Sequence, residues 1–326
     1  MKAAIARRYG PPEAVDLVDL PVPVPRAGQV LVEVTAAAVT VGDARIRAAR
    51  APAGMAALLR LAFGLVRPRR PVLGMMFAGR VIGAGSRHAV GARVIGTTGM
   101  AMGAHAEMVA VAGDRLLPLD LDLTDAEAAA LLFGGMTAAD FLIDKAALAP
   151  GQRLLVNGAT GEVGCAALQI GRHLGAEVTA VCREENHPLA RVLGATACHD
   201  YRQGPPQGQW DAVLDLAGTL PFAAARALGT GRRADAGDGD AGPDAGRGAA
   251  ARRGGRRITG TVTGDGPDAV ARVLDLARQG ALRPVVGHRL PLSEIRRAHA
   301  LCDGGHKRGS VVVVMDQATE TAMAAK

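Results

Sequence analysis

Three glycines at fixed spacing carry the most specific chemical signal in the chain. They lie in the run Gly158-Ala159-Thr160-Gly161-Glu162-Val163-Gly164. Such a turn lets the backbone bend sharply and approach a pyrophosphate closely, while the helix behind it presents free N–H groups and a positive dipole end. Gly161 and Gly164 match the last two glycines of the dinucleotide fingerprint, and Ala159 holds the first place. With 43 glycines in the chain, the spacing alone is weak evidence. Context strengthens it: the short apolar run Leu154 to Val156 precedes the turn, and Val163 to Leu174 follows with apolar residues at helical spacing. That stretch stops at Gly175 and leads into the β-branched run Glu177 to Cys182. A strand, glycine turn, helix and second strand in this order predict a nucleotide-binding βαβ unit. Gly158, Ala159, Thr160, Gly161, Glu162, Val163 and Gly164 are its candidate phosphate contacts.

The end of the second strand bears on the choice of nucleotide. Arg183 follows Cys182 directly, and a guanidinium there could clamp a 2′-phosphate. Glu184 lies about 20 residues past the turn, where an acid could hold a ribose hydroxyl instead. The two signals point in opposite directions.

The elements that must position this unit can be read on either side of it. The first hundred or so residues are β-rich: Met1 to Ala6, Val30 to Val39, Val72 to Gly83 and Arg93 to Thr97 are apolar or alternating runs broken by Gly and Pro. A helical stretch near Met55 to Val66 interrupts them, as either a lid over a cleft or a plain surface helix. Thr124 and Glu127 form a capping box ahead of a helix over Ala126 to Phe133, and a second helix is expected near Thr137 to Leu148. Thr196 to His199 and Asp211 to Leu216 are further buried strands. This alternation predicts an α/β fold with a doubly wound parallel sheet.

Composition narrows the function classes. A chain of 326 residues accommodates two domains. No apolar run in the sequence approaches the roughly 20 residues of a membrane span, and MKAAIARRYG lacks a signal-peptide core, so a cytoplasmic protein without a membrane role is expected. Cys165, Cys182, Cys198 and Cys302 are scattered, which suggests neither a disulfide framework nor a tetrahedral zinc site. The net charge of +7 invites a nucleic-acid partner, but with 2% aromatics few rings are available for stacking on bases, which argues against one. Moreover, +3 of that charge comes from Gly229 to Arg257 alone, with seven Arg and four Asp.

Several ordered segments together resemble the zinc-independent, quinone oxidoreductase-like branch of the medium-chain dehydrogenases/reductases. They are Tyr9-Gly10-Pro11-Pro12-Glu13, AAAVTVGDARIR from Ala36, LGMMFAGRV from Leu73, FGGMTAADFL from Phe133, the glycine turn, VCREENHPLARVLGA from Val181 and GGHKRGSVVV from Gly304. The resemblance implies a Rossmann doubly wound parallel sheet plus a GroES-like β domain. It places a catalytic domain at 1–122, a cofactor domain at 123–286 and a C-terminal return to the catalytic domain at 287–326. Zinc-dependent relatives carry Cys and a Gly-His-Glu segment where this chain has Thr40 to Asp43 and Gly74-Met75-Met76. Thioethers there do not make a zinc site, so no metal is expected.

Thr40 and Asp43 correspond to cleft-facing positions of the family and are the catalytic candidates. Asp43 could equally serve only as a helix cap. By the same resemblance Thr137 is a nicotinamide contact, with a plain helix N-cap as its alternative, and Arg183, Asn186, Tyr201 and Ala217 extend the cofactor set. NADPH is the expected cofactor, with NADH as the alternative. The implied reaction is hydride transfer to a quinone or a conjugated enone or enal, because such acceptors take a hydride without a Lewis acid. A non-catalytic, nucleotide-binding member of the same fold is the competing reading. A homodimer is an open expectation.

The chain departs from the family pattern at Gly229 to Arg257. These 29 residues comprise nine Gly, seven Ala, seven Arg, four Asp, one Thr and one Pro. No residue in the segment brings a large apolar side chain, so disorder and a missing sheet strand are expected. The stretch is either read out of frame or an authentic linker.

Overall fold

The computed structural model describes residues 1–50, 56–83, 88–220, 229–234, 251–253, 256–259 and 263–315. One of its two large sheets is built on the strand Arg153–Asn157, whose residues Leu154, Leu155 and Val156 have no solvent exposure. Strands this apolar need cover on both faces, the condition a parallel sheet with crossover helices meets. The order across this sheet is Ala197–His199, Glu177–Val181, Arg153–Asn157, Trp210–Asp215, Gly229–Ala234, Arg256–Thr259 and Ala251–Arg253. All neighbours run parallel except the last pair. Numbered along the chain, the first six read 3-2-1-4-5-6, the order of a dinucleotide-binding fold.

The second sheet surrounds the long strand Gln29–Val39. Met76–Val81, Met108–Ala112 and Ser310–Val314 all pair antiparallel with it. Met76–Val81 continues outward to Arg93–Thr97 and Leu116–Pro118, and Ser310–Val314 to Val286–Pro291. The chain therefore leaves the N-terminal sheet, builds the parallel sheet and returns to complete the first. Val311, Val312 and Val313 are fully buried in that return. The helix Ala56–Phe63 lies within the stretch expected to be helical.

Two expectations differ from the structure. The segment after Thr124 is one continuous helix, Asp125–Ala139, running into a π-helical turn at Asp140–Lys145. Gly134 and Gly135 do not break it, because they serve close packing: a Cβ on Gly134 would stand 2.5 Å from the Glu162 carbonyl oxygen, and one on Gly135 would stand 2.9 Å from Leu282. Asp125–Lys145 is long and apolar enough to cross a membrane by length and composition, but it is mostly buried in the protein core, which accounts for its composition.

The second correction concerns Gly229 to Arg257. The sheet is not short of a strand, since Gly229–Ala234 pairs in parallel with Trp210–Asp215, and Arg256–Thr259 with Gly229–Ala234. Parallel pairing uses backbone groups, and a strand edge carries a full row of them irrespective of side-chain type. Ala251–Arg253 pairs antiparallel with Arg256–Thr259 at the sheet edge, and residues 235–250 and 254–255 of that segment lie outside the described residues.

Candidate dinucleotide and substrate site

The glycine turn sits at the C-terminal end of Arg153–Asn157, in the middle of the parallel sheet. The Gly158 and Ala159 N–H groups both donate to the Val181 carbonyl, at 3.1 and 3.2 Å, and tie the turn to the neighbouring strand. Gly158 has φ +79°, and a Cβ on it would lie 3.3 Å from the Ala217 nitrogen, so Ala217 belongs to the rim of the turn. The helix Glu162–His173 then begins, leaving the N–H groups of its first turn outside its own hydrogen-bond ladder. A Cβ on Gly164 would stand 2.3 Å from the Gly158 oxygen, whereas one on Gly161 would meet nothing closer than 3.5 Å. One glycine thus permits helix to pack on turn, and the other leaves open space above it. Val163 packs, partly buried, against the core. These features fit a bound pyrophosphate.

The residues expected at the nucleoside end lie just past the strand that holds the turn. Arg183 Nε donates to the Tyr201 hydroxyl at 2.9 Å, and Asn186 is buried close by in sequence, with its side-chain oxygen unpaired among the described residues. Glu185 stands 3.8 Å from Arg183 and 3.9 Å from Arg308, so one carboxylate lies between two guanidinium groups. The Glu184 N–H donates to Asp200.

Thr40 and Asp43 form a closed unit. Thr40 caps the helix Val41–Ala48, and its hydroxyl oxygen accepts the Asp43 N–H. One Asp43 oxygen accepts the Thr40 N–H at 2.9 Å and the Thr40 hydroxyl at 2.8 Å; the other accepts the Gly74 N–H at 3.2 Å. Both side chains are fully buried. This unit adjoins the long helix: a Cβ on the intervening Gly42 would stand 3.1 Å from Met75 Cε and 3.8 Å from Phe133. Thr137 lies one turn beyond Phe133 on the same helix, at 9% exposure. Among the described residues no three His, Cys, Asp or Glu side chains gather as metal ligands.

Four positions that contact the turn or its neighbouring groups were not singled out in the sequence. Asn157 donates to Asp215 at 2.8 Å, joining the ends of the two central strands. Lys307 forms a buried pair with Glu162 at 3.0 Å. The Gly309 N–H donates to the Thr160 carbonyl at 2.9 Å, and Gly309 bridges Gly161. Arg308 joins the Glu185 group. The last three come from the C-terminal return, about 150 residues after the turn, and no local spacing links them to it.

A dinucleotide cradle on a 3-2-1-4-5-6 sheet, closed by a strand that returns to an antiparallel domain, defines the class of medium-chain dehydrogenases/reductases. Comparison with known proteins agrees. Residues 193–313 match the family described as zinc-binding dehydrogenase. The quinone oxidoreductase of Coxiella burnetii is 27% identical, with TM-score 0.82 over 97% of this chain and 99% of that one. A mycobacterial protein complexed with NADPH is 26% identical, with TM-score 0.80 over 96% and 99%. The spectinabilin polyketide synthase system protein NorB of Streptomyces orinoci is 35% identical over 243 residues, 69% of this chain, which spans only 11% of NorB's own length. Over nearly its whole length the chain is similar to quinone oxidoreductases of the medium-chain dehydrogenase/reductase type.

Proposed function

We propose that this chain is a zinc-free NAD(P)H-dependent oxidoreductase that transfers hydride to a quinone or to a conjugated enone or enal, with NADPH as the preferred cofactor. The observation that carries this reading is the glycine turn held between the parallel sheet and the returning strand, with the Gly161 side open. When bound, the reduced dinucleotide supplies the hydride. The chain's own groups do the rest. The first-turn amides of Glu162–His173 hold the pyrophosphate, and Arg183 with Tyr201 holds the adenosine end. Thr137 borders the nicotinamide side, and the buried Thr40–Asp43 unit supports it from behind.

The donor set near Thr40 supports metal-independent chemistry. Met75 and Met76 offer neutral thioethers, and both Asp43 oxygens already accept hydrogen bonds from the chain. Zinc sites of this class use thiolate, imidazole or carboxylate ligands. The Thr40 proton is likewise directed at Asp43, so water delivers the proton that follows the hydride. An electron-poor acceptor suits such a site, because hydride can add without prior polarisation of its oxygen. The resemblance to a segment of a polyketide synthase protein favours a conjugated carbonyl.

A second reading, a nucleotide binder without turnover, is favoured by one observation: Asp43 is occupied as a helix cap. Steady-state oxidation of NADPH with a panel of quinones and enones separates the two. Turnover with any acceptor supports the oxidoreductase, and tight binding with no turnover across the panel supports the binder.

A further inference from the structure

Glu162 is an unexpected residue for its position. It opens the helix whose first turn faces the phosphates, and a carboxylate there occupies the same favourable dipole field that a pyrophosphate would use. Two negative charges in a water-poor site repel strongly. The Glu162 side chain is 3% exposed, and Lys307 at 3.0 Å is 7% exposed. The second hydrogen bond of the Lys307 ammonium goes to the Gly309 carbonyl at 3.2 Å. With Lys307 in place the pair is neutral and buried.

The lysine comes from the C-terminal return, and the same few residues grip the turn. The Gly309 N–H donates to Thr160, and Gly309 bridges Gly161. Gly309 has φ +56°, and a Cβ on it would stand 2.1 Å from the Val285 oxygen. Only glycine fits there, so the backbone that presents Lys307 is held in one place.

We propose that Lys307 is a positioning residue of the cofactor cradle: it neutralises Glu162 at the start of the phosphate-binding helix and thereby makes docking of the returning strand a condition of tight dinucleotide binding. This rests on the reading of the turn as a dinucleotide site. Direct contact between Lys307 and the phosphates is the competing arrangement, and its burial and its existing partners, Glu162 and the Gly309 carbonyl among them, argue against it. The other groups around Glu162 are Asp43, whose charge works against ionisation, and the Ser310 hydroxyl, which favours it. Burial is the largest influence and raises the Glu162 carboxyl above its usual range.

The test is dinucleotide affinity, measured by fluorescence titration of the full chain with NADPH and NADH. Lys307→Met leaves a buried carboxylate unpaired beside the phosphates, and both cofactors weaken by about tenfold or more. The Glu162→Gln/Lys307→Met pair removes both charges and regains most of the loss. The single variant also recovers affinity as pH falls, because the raised Glu162 carboxyl takes up a proton and its charge disappears. A double variant as weak as Lys307→Met, or a single variant as tight as wild type, overturns the proposal. Should only the double variant fold, it is compared with wild type directly: a loss within about threefold supports the proposal and a loss of about tenfold or more overturns it. A wild type that binds but never reduces an acceptor fails the functional reading alone; equal affinities across the series fail this inference alone.

Discussion

Gly164 lies so close to Gly158 that a Cβ on it would stand 2.3 Å from the Gly158 carbonyl oxygen and 2.5 Å from the Ala159 carbonyl carbon. Backbone cannot yield as a flexible side chain can, so Gly164→Ala must push the helix Glu162–His173 off the turn. We expect a stability loss of about 1–3 kcal/mol and loss of dinucleotide binding. Gly161→Ala is the informative contrast. Its Cβ meets only the Gly158 oxygen at 3.5 Å, and its φ of −73° suits any residue. That variant should keep wild-type thermal stability while losing affinity, because the methyl enters the space above the turn. Thermal melts and NADPH titrations read both effects; equal melting losses in the two variants reject this division of roles.

The Thr40–Asp43 unit predicts a stability effect. Asp43→Ala strands three buried donors, the Thr40 N–H, the Thr40 hydroxyl and the Gly74 N–H. Leaving such groups unpaired costs about 1–3 kcal/mol each before relaxation. We expect a total near 3 kcal/mol, read by denaturant unfolding. Asp43→Asn, which keeps an acceptor oxygen, should lose about half as much. A variant with wild-type stability and no turnover would instead identify Asp43 as a group that acts on substrate.

These two cases show what the sequence could reveal. The turn was legible because its strand, glycines and helix are contiguous and each carries a local signature, and the fold followed from ordered segments at both ends of the chain. Thr40 with Asp43 three residues on could be seen as a cap for the same reason. The pairing of Lys307 and Gly309 with the turn was invisible, since their partners Glu162, Thr160 and Gly161 lie about 150 residues away and pairing across that separation leaves no periodic trace. Gly134 misled in the opposite direction. A glycine pair reads as a helix break, but the close approach of Glu162 makes it a packing requirement. Gly229 to Arg257 misled because side-chain composition says nothing of backbone pairing at an open sheet edge.

The Arg183–Tyr201 contact at 2.9 Å is where the proposed preference for NADPH is tested. Arg183→Met should weaken NADPH by about tenfold, because a guanidinium–phosphate interaction is charge-assisted, and leave NADH affected far less. Glu185 sits between Arg183 and Arg308 and competes for both, so Glu185→Gln should tighten NADPH relative to NADH. The ratio of the two dissociation constants is the readout. An unchanged ratio in both variants places the discrimination on other residues.

His299 gives the chain an acid-sensitive element. It lies fully buried on the helix Ile295–Asp303, with its ring 5.7 Å from that of His105. Burial first, then the charges of His105 and Arg47, hold its protonation well below the ordinary histidine range. In the unfolded chain His299 takes up a proton near pH 6.5, whereas in the folded chain it does not. Its contribution to stability is therefore complete above about pH 6.5 and falls as pH drops below it, by up to about 1.4 kcal/mol per pH unit. His299→Gln keeps a polar side chain but cannot titrate in this range. Unfolding free energies of the two proteins at pH 7.5, 6.5 and 5.5 isolate the effect, since other groups titrate alike in both. The difference should shift in favour of the variant mainly between the two lower values. The same helix supplies Asp303 to Arg47 and Arg50 and precedes Gly309 and the strand Ser310–Val314, so acid loosening should reach the turn through the return. Parallel pH curves for wild type and variant place the acid sensitivity outside this helix.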